Sequence, residues 1–447
     1  MNAPATYSTA PELLDSTLRA LSDAGIDYCI LHGYQRFDDG IDSDVDCIVG
    51  AQHLPEGLVL AVQSAGLRVV QHLQHESTAH YFVITDDGRN GPSRLLKLDV
   101  SSDYRRDGRV FYSGDEMLAD RQPFEDYWVP QPAQEFGYYL VKKTAKGSIS
   151  DDQARRLSEL HAADPAGCDA AIDRFWSREY AALLKAAART GSWESVRTLL
   201  PQFRQDLLRT TGSESSSRPF RYWLADVARR CRRIAQPTGL HVVFLGPDGA
   251  GKSTVIEQVE QALAPAFRRT TIQHLAPGVL RRRTSSGPVV DPHQKPARSL
   301  PQSLMKGAYW LVDYALGYHL KVRPNLVRST LVLFDRYLPD VLVDPRRYRY
   351  GGPAWLVSLV WRVVPKPDLV ILLDAPTEVL QARKREVPPE ETARQREAYR
   401  ALVARIPNGH IVDANQPIEQ VVSDVNEIIV CHLAARTARR LGVGTPS

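Results

Sequence analysis

The sequence predicts an α/β fold in which a parallel-sheet domain fills the C-terminal half, preceded by a helical segment and a small α/β domain. Three observations carry this expectation. An apolar run at 240–245 leads through the glycine-rich stretch GPDGAGKST at 246–254 into a helical pattern, so strand, loop and helix lie in one segment. Further short apolar runs at 331–334, 369–373 and 411–412 end in Asp335, Asp374 and Asp413 and are separated by helical stretches, as in a parallel sheet. Upstream, helix-like and strand-like patterns alternate to about residue 125, then give way to helical periodicity from about 130 to 235.

In chain order, the first segment reads as a helix at 13–21 and strands at 28–31, 45–49, 67–73, 81–84 and 95–100. Gly33 and Tyr34 follow the first strand, and Asp44 and Asp46 come soon after in SDVDCIV, on one face of a strand by alternation. Asp99 stands between Leu98 and Val100, a buried setting that is costly for a lone carboxylate. Three such aspartates suit two shared metal ions, which stabilise attacking and leaving oxygens in nucleotidyl transfer. A plain acidic turn is the simpler alternative for Asp44 and Asp46. A calcium loop is excluded, because Cys47 takes the glycine position and His53 the bidentate glutamate position. Lys142, Lys143 and Lys146 open the helical segment, either as phosphate contacts or as a solvated face. Farther on, Ser150 and Gln153 have capping-box spacing, and Gly191 and Gly212 are suitable helix stops. TGSESSS at 211–217 has linker composition, and 218–233 is a basic amphipathic helix candidate.

The chemistry concentrates in the glycine-rich loop, where Gly246, Gly251, Lys252 and Ser253 fit G-x-x-x-x-G-K-[ST]. Its backbone N–H groups, from Gly246, Asp248, Gly249, Ala250 and Gly251 to Thr254, suit phosphate oxygens, and Lys252 adds a point charge for the β/γ-phosphates. The Ser253 hydroxyl is a Mg²⁺ ligand candidate, and the following helix contributes its positive end.

At 447 residues the chain exceeds one ordinary core, and its length suggests about three domains. The expected boundaries are 1–128, 129–236 and 237–435, followed by a disordered tail at 436–447. Five cysteines without a C-x-x-C pair argue against a zinc site or disulfide framework and for a reduced, cytoplasmic chain. No signal-peptide pattern opens the sequence, and no apolar run reaches spanning length. The runs at 308–320 and 354–364 are short and interrupted by Asp313 and Arg362, which reads as buried or interfacial helices. Few aromatics interleave the arginines of 218–233 and 281–283, so the nucleic-acid signal is weak. The net charge of +4 names no partner.

GPDGAGKST, FDRY and LLDAP resemble the thymidylate kinase family, whose motifs are G-x-[DE]-x-x-G-K-[ST]-T, D-R-[YFH] and L-D-x-P. The resemblance implies a P-loop parallel-sheet kinase that uses ATP and Mg²⁺. It implies that Asp248 faces the acceptor's sugar, that Asp335 supports the metal or attacking group, and that Arg336 grips acceptor phosphate. Arg383 and Arg385 would belong to a mobile lid that reaches the transferred phosphoryl group, with Lys384 and Arg394 nearby. Arg383 and Arg385 also read as a solvated helix face beside Glu386 and Glu390, and Asp335 and Arg336 as a structural ion pair. Asp374 and Asp413 read equally as strand-end caps.

The departures concern the acceptor. VDYALGYH carries Tyr314 where the family has an arginine that binds acceptor phosphate, and HLAPG at 274–278 leads into a long Arg, Pro and His loop at 281–299. The expected acceptor is therefore a small molecule other than thymidylate. Arg346, Arg347 and Arg349, with Tyr348 and Tyr350, form either an acceptor-recognition run or a solvated turn.

In the N-terminal part, Gly33, the Asp44/Asp46 pair and Asp99 resemble the polymerase-beta-type nucleotidyltransferase fold. Tyr34 replaces that family's small residue, which leaves binding without turnover open. The whole arrangement resembles nucleotidyltransferase and kinase-like proteins encoded with bacterial surface-polysaccharide genes, implying a nucleotide, sugar or glycan acceptor. A strict nucleoside monophosphate kinase and a nucleotide-binding regulatory or scaffold protein are the alternatives, and a homodimer is compatible with the sequence.

Overall fold

A computed structural model describes residues 10–37, 40–41, 43–86, 94–211, 218–278 and 296–444. The chain divides into two compact units: within the described residues, 10–232 with 434–444, and 233–433. The middle helices fall in the first unit, together with the α/β segment.

In that unit, α1 (Ala10–Asp23) buries Leu13, Leu14, Thr17, Leu18 and Leu21, a stripe at three- and four-residue spacing. It packs with α2 (Glu56–Ser64) on a five-stranded sheet. The strands are β1 (Tyr28–Ile30), β2 (Val45–Val49), β3 (Arg68–Glu76), β4 (Ala79–Thr85) and β5 (Leu96–Ser101), in the order β1-β2-β5-β4-β3. Only β2 and β5 run parallel, and their register sets Asp46 beside Asp99. Two hairpins follow, β6 (Asp103–Arg106) with β7 (Arg109–Ser113) and, after α3 (Gly114–Ala119), β8 (Gln122–Phe124) with β9 (Tyr127–Val129).

The helical segment comprises α4 (Pro132–Lys146), α5 (Asp151–Ala163), α6 (Pro165–Phe175), α7 (Arg178–Thr190), α8 (Glu194–Thr198) and α9 (Leu200–Thr210). Its core, including Phe136, Leu140, Leu157, Leu184 and Phe203, also takes in Cys29, Leu31 and Ile48 from the sheet region. The sheet is thus covered on both faces. The capping box at Ser150 and Gln153 starts α5, and Gly191 in a left-handed conformation closes α7. Gly212 and most of the linker stretch lie outside the described residues, as do 281–295. The next helix, α10 (Arg218–Ala235), leads to the second unit.

There β10 (Leu240–Leu245) is buried along its whole length, as a central parallel strand should be. The other strands are β11 (Arg269–His274), β12 (Thr330–Asp335), β13 (Leu369–Asp374) and β14 (Gly409–Asp413), giving the all-parallel order β11-β12-β10-β13-β14. The α/β class with a parallel C-terminal sheet is therefore as the sequence predicts. Successive strands switch sides about β10, and at such a point the carboxyl ends of the strands open a crevice.

The helices of this unit begin with α11 (Lys252–Leu263), α12 (Leu300–Gly317), α13 (Arg323–Val327) and α14 (Asp340–Val343). They continue with α15 (Ala354–Val363), α16 (Thr377–Arg383) and α17 (Pro389–Val403). The last, α18 (Ile418–Leu441), runs on as helix through 436–441, where the sequence suggests a loose tail. Thr437 and Ala438 are buried there, and Leu441 packs on the first unit's core, so these residues have contacts that hold them in helix. Residues 445–447 lie outside the described residues. No helix among the described residues is long and apolar enough to cross a membrane.

Candidate active site

The glycine-rich loop leaves β10 with Gly246 at φ +147°, where a Cβ would sit 2.5 Å from the Leu373 carbonyl oxygen. Gly249, at φ +84°, would bring a Cβ to 2.8 Å from the Leu380 carbonyl of α16. Both positions need glycine, for conformation and for space. Gly251 caps α11 and sets Lys252 at its first position. The N-terminus of this helix faces the loop with its unpaired N–H groups. The Lys252 ammonium is buried and donates to the carbonyls of Gly246 and Pro247, at 2.8 Å each. Burial, and then the neighbouring Arg336 charge, push its pKa down to about 7. Ala250 is buried, while Ser253 and Thr254 are exposed at the helix start.

Asp335 ends β12, beside the loop strand. Its Oδ2 lies 3.3 Å from His274 Nδ1, whereas its Oδ1 is buried with no hydrogen-bond partner among the described residues. Burial disfavours the charge, but the His274 contact, Lys252 and Arg336 outweigh it and hold the carboxyl below its usual range. A buried acceptor without a donor is uncommon and fits a carboxylate kept for a cation or ligand.

Arg336 takes a left-handed backbone, φ +68°, with its N–H on the Phe244 carbonyl at 2.9 Å. Such strain persists only where the surroundings over-determine it. Here they do. The guanidinium is nearly buried, donating through Nη1 to Asp340 Oδ2 at 3.0 Å and through Nη2 to Asp248 Oδ1 at 2.5 Å. Asp340 is fully buried and also accepts from the Tyr348 and Tyr399 hydroxyls. Asp248 accepts from Arg347 on its second oxygen, and the same Arg347 Nη1 lies 3.4 Å from Glu386 Oε2. Lys384 completes the group at 2.5 Å from Glu386. Although burial opposes its charge, Asp248 is held well below the usual carboxylate range by the Glu386 hydrogen bond, Arg336 and Arg347.

Asp340 and Glu386 join this network without having been assigned to it from sequence, whereas Arg347 was named there only as one of three arginines in the basic run. The signal present was the four-residue step from Arg336 to Asp340. Within the basic run, Arg346 is exposed while Arg347 turns inward, so the run is neither wholly a solvated turn nor wholly a binding surface.

Arg383, from the end of α16, donates to the Ala414 carbonyl at 2.9 Å. It lines a cavity of about 280 Å³ together with Gly251, Thr254, Ala414, Ile418 and Val421. Arg385 is exposed and reaches only the Gln381 carbonyl, at 3.4 Å. Arg394 pairs with Glu391 and the Val343 carbonyl. Asp374 holds Arg396 and Arg400 of α17, and Asp413 accepts from the Asn415 N–H, so both strand ends act as structural anchors. Tyr314 is fully buried, with its hydroxyl on the Leu275 carbonyl.

In the first unit Asp44 and Asp46 have protein partners. Asp46 accepts from Lys142 Nζ at 2.7 Å and lies 3.1 Å from His32 Nε2. Lys142 also donates to the Tyr138 hydroxyl at 3.0 Å. Asp44 is 3.4 Å from Lys97 Nζ and accepts from Tyr81 at 3.3 Å. Burial, and then the Asp46 charge, push Asp99 up to about 7.

No three His, Cys, Asp or Glu side chains among the described residues are placed to hold a metal ion. At Asp46, expected as a metal ligand, a lysine ammonium lies against the carboxylate instead. Both Asp46 oxygens have protein partners, Lys142 on one and His32 on the other. Lys142 and Lys143 are buried rather than solvated, whereas Lys146 is exposed. Tyr34 is a core residue that donates to Glu135 at 2.6 Å.

A thymidylate kinase family model matches residues 244–425. Among curated proteins, the thymidylate kinase of Xanthomonas euvesicatoria pv. vesicatoria (strain 85-10) is 30% identical over 212 residues, covering 45% of this chain and 88% of the relative. That of Xanthomonas oryzae pv. oryzae (strain PXO99A) is 29% identical over 223 residues, covering 47% and 91%. The probable thymidylate kinase of Pyrobaculum aerophilum is 28% identical over 209 residues, covering 42% and 95%.

Proposed function

Because the chain belongs to the thymidylate kinase family, a family of nucleotide kinases, we propose that its second unit transfers the γ-phosphoryl group of ATP to a small acceptor other than thymidylate. The acceptor would be a nucleotide, sugar or glycan. One observation carries the reading: Asp248 of the phosphate loop is bonded to Arg336 at the end of β12, so donor loop and acceptor strand share one buried network. A generic nucleotide-binding loop does not need that link.

In use, Lys252 exchanges the Gly246 and Pro247 carbonyls for phosphate oxygens, while the N–H groups at the start of α11 orient the same phosphates. Asp248 and Arg336 fix the acceptor, and burial of Arg336 keeps its guanidinium in one position. Mg²⁺ would be held by the Ser253 hydroxyl and the unpartnered Asp335 oxygen, and it would neutralise charge between the phosphates. The cavity beside Gly251 and Arg383 suits the nucleoside end of ATP, which gives Arg383 a donor-side role. Arg385, exposed and free of an acidic partner among the described residues, is the lid arginine for the transferred group. In an ATP-transfer assay over nucleoside monophosphates, sugars and sugar phosphates, Lys252→Ala should lose at least about 100-fold in rate. An unchanged number of ATP sites with unchanged affinity in that variant would reject the assignment.

For the first unit we infer a polymerase-beta-type nucleotidyltransferase fold that binds nucleotide without turnover. The Lys142 ammonium on Asp46, where catalysis would need a metal ligand, supports it. With the kinase loop disabled by Lys252→Ala, titrated nucleoside triphosphate should still bind and release no pyrophosphate. Detectable pyrophosphate release would overturn this reading.

A further inference from the structure

The basic helix that the sequence marks after the middle segment has no part in the chemistry described so far. It is α10, with six arginines and a single carboxylate, Asp226. Helical spacing puts Trp223, Leu224, Val227 and Cys231 on one side and Arg229 on the side opposite. A surface helix ordinarily turns its apolar side to the core and its charged side to water. In α10 the orientation is reversed. Arg229, only 16% exposed, donates through Nη1 to the Gln74 carbonyl of β3 at 3.2 Å and through Nε to Asp226 at 3.2 Å, so the charged side is the docked one. Trp223 is 60% exposed and Leu224 53%, and Cys231 lies exposed on the same side. Arg230 and Arg232, both exposed, border this apolar stripe on its two sides.

We propose that α10 is an interfacial helix that lies along the surface of an anionic lipid bilayer, with Trp223, Leu224 and Cys231 in the outer acyl region and Arg230 and Arg232 at lipid phosphates. Charge and polarity select this occupant. A bilayer surface sets an apolar layer directly beneath a layer of phosphates, which matches an apolar stripe bordered by guanidinium groups, and tryptophan is favoured at that boundary. The one carboxylate of the helix is held by Arg229, so its charge is balanced within the helix. A second copy of this chain fits less well. Pairing the stripe with itself would set Arg230 and Arg232 against the same arginines, with Asp226 already engaged and no other carboxylate on the helix to neutralise them. With this many arginines α10 lies in the interface rather than across it, and its attachment combines apolar burial with a charge attraction that salt weakens.

The full chain is floated with vesicles of phosphatidylcholine alone and of phosphatidylcholine with about one quarter phosphatidylglycerol. Wild type should rise with the anionic vesicles, stay behind with phosphatidylcholine alone, and bind less as salt approaches about 1 M. Trp223→Ser and Leu224→Ser together should weaken binding at least about 10-fold, through lost apolar burial. Arg230→Gln with Arg232→Gln should weaken it about 10- to 30-fold on the anionic vesicles. Thermal unfolding should stay near wild type in both, since the changed side chains are exposed. In a Cys431→Ser chain Cys231 is the one exposed cysteine left, and an NBD fluorophore on it should shift to the blue on anionic vesicles as it leaves water. The arginine pair and the fluorophore read the same contact without touching Trp223, so the test stands whatever the serine pair does to folding. Failure of wild type to bind anionic vesicles, no preference for them over phosphatidylcholine, or an NBD spectrum that vesicles do not move overturns the proposal. So does binding that neither pair of substitutions weakens. A dimer in sedimentation velocity that the serine pair abolishes, with no capture by vesicles, would give the stripe to a second copy and overturn it as well.

Discussion

Lys252 donates its ammonium hydrogens to two loop carbonyls, burial pushes its pKa down to about 7, and a bound triphosphate should return it toward its ordinary 10.5. Binding of ATP at pH 8 should therefore take up a substantial fraction of a proton. Calorimetric titration in two buffers of different ionisation enthalpy measures this directly, and a buffer-independent enthalpy would count against it. Affinity should weaken as pH rises from about 7 toward 10. The sign for stability is opposite. Because the unfolded chain binds this proton across the same window and the folded chain does not, the empty protein gains stability from Lys252 as pH rises. At this scale the sequence was legible where residue type and spacing are set by chemistry, as at Asp248, Lys252, Asp335 and Arg336. It was not legible at Arg347, because which of three neighbouring arginines turns inward depends on a turn in which Arg349 takes φ +52°.

Among elements, the pairing of β2 with α4 decides the character of the first unit. Lys142 and Asp46 are 96 positions apart in the chain and meet only because the helical core seats α4 against the sheet. Removing the ammonium would leave Asp46 beside Asp99 with His32 as its remaining partner. Lys142→Ala should destabilise the first unit by about 3 kcal/mol, read from thermal or urea unfolding. Because Asp46 is depressed from its ordinary 3.8 in the folded state, the difference from wild type should be full at neutral pH and shrink as pH falls below about 4. A constant difference down to pH 3 would show that packing, not charge, is what Lys142 supplies. Elements whose signals are local, such as the Ser150/Gln153 cap and the Gly191 stop, could be read from sequence. The surroundings of Asp46 could not be read from sequence for the opposite reason. Alternation puts aspartates on one strand face, but the lysine that reaches Asp46 belongs to a helix no strand pattern can locate.

At the scale of the whole molecule, the second unit is the better read, because its motifs fix the strand ends around β10 and strand order follows from the crossovers. The limits of the first unit were harder to see, since its final segment comes after the other unit in the chain. Residues 434–444 bury Ala434, Thr437 and Ala438, place Leu441 and Val443 on the first unit's core, and donate from Thr437 to the Val70 carbonyl. A chain ending at Leu433 should lower the first unit's melting transition by several degrees while ATP binding by the second unit persists. Calorimetry resolves the two, and an unchanged first transition would contradict the packing. The same segment also bears on synthesis. A domain usually folds as it leaves the ribosome, N-terminal part first. Here the last piece of the first unit is supplied only after the kinase unit has been translated, so part of its core stays uncovered until then. The unit that begins the chain is therefore the last to be completed.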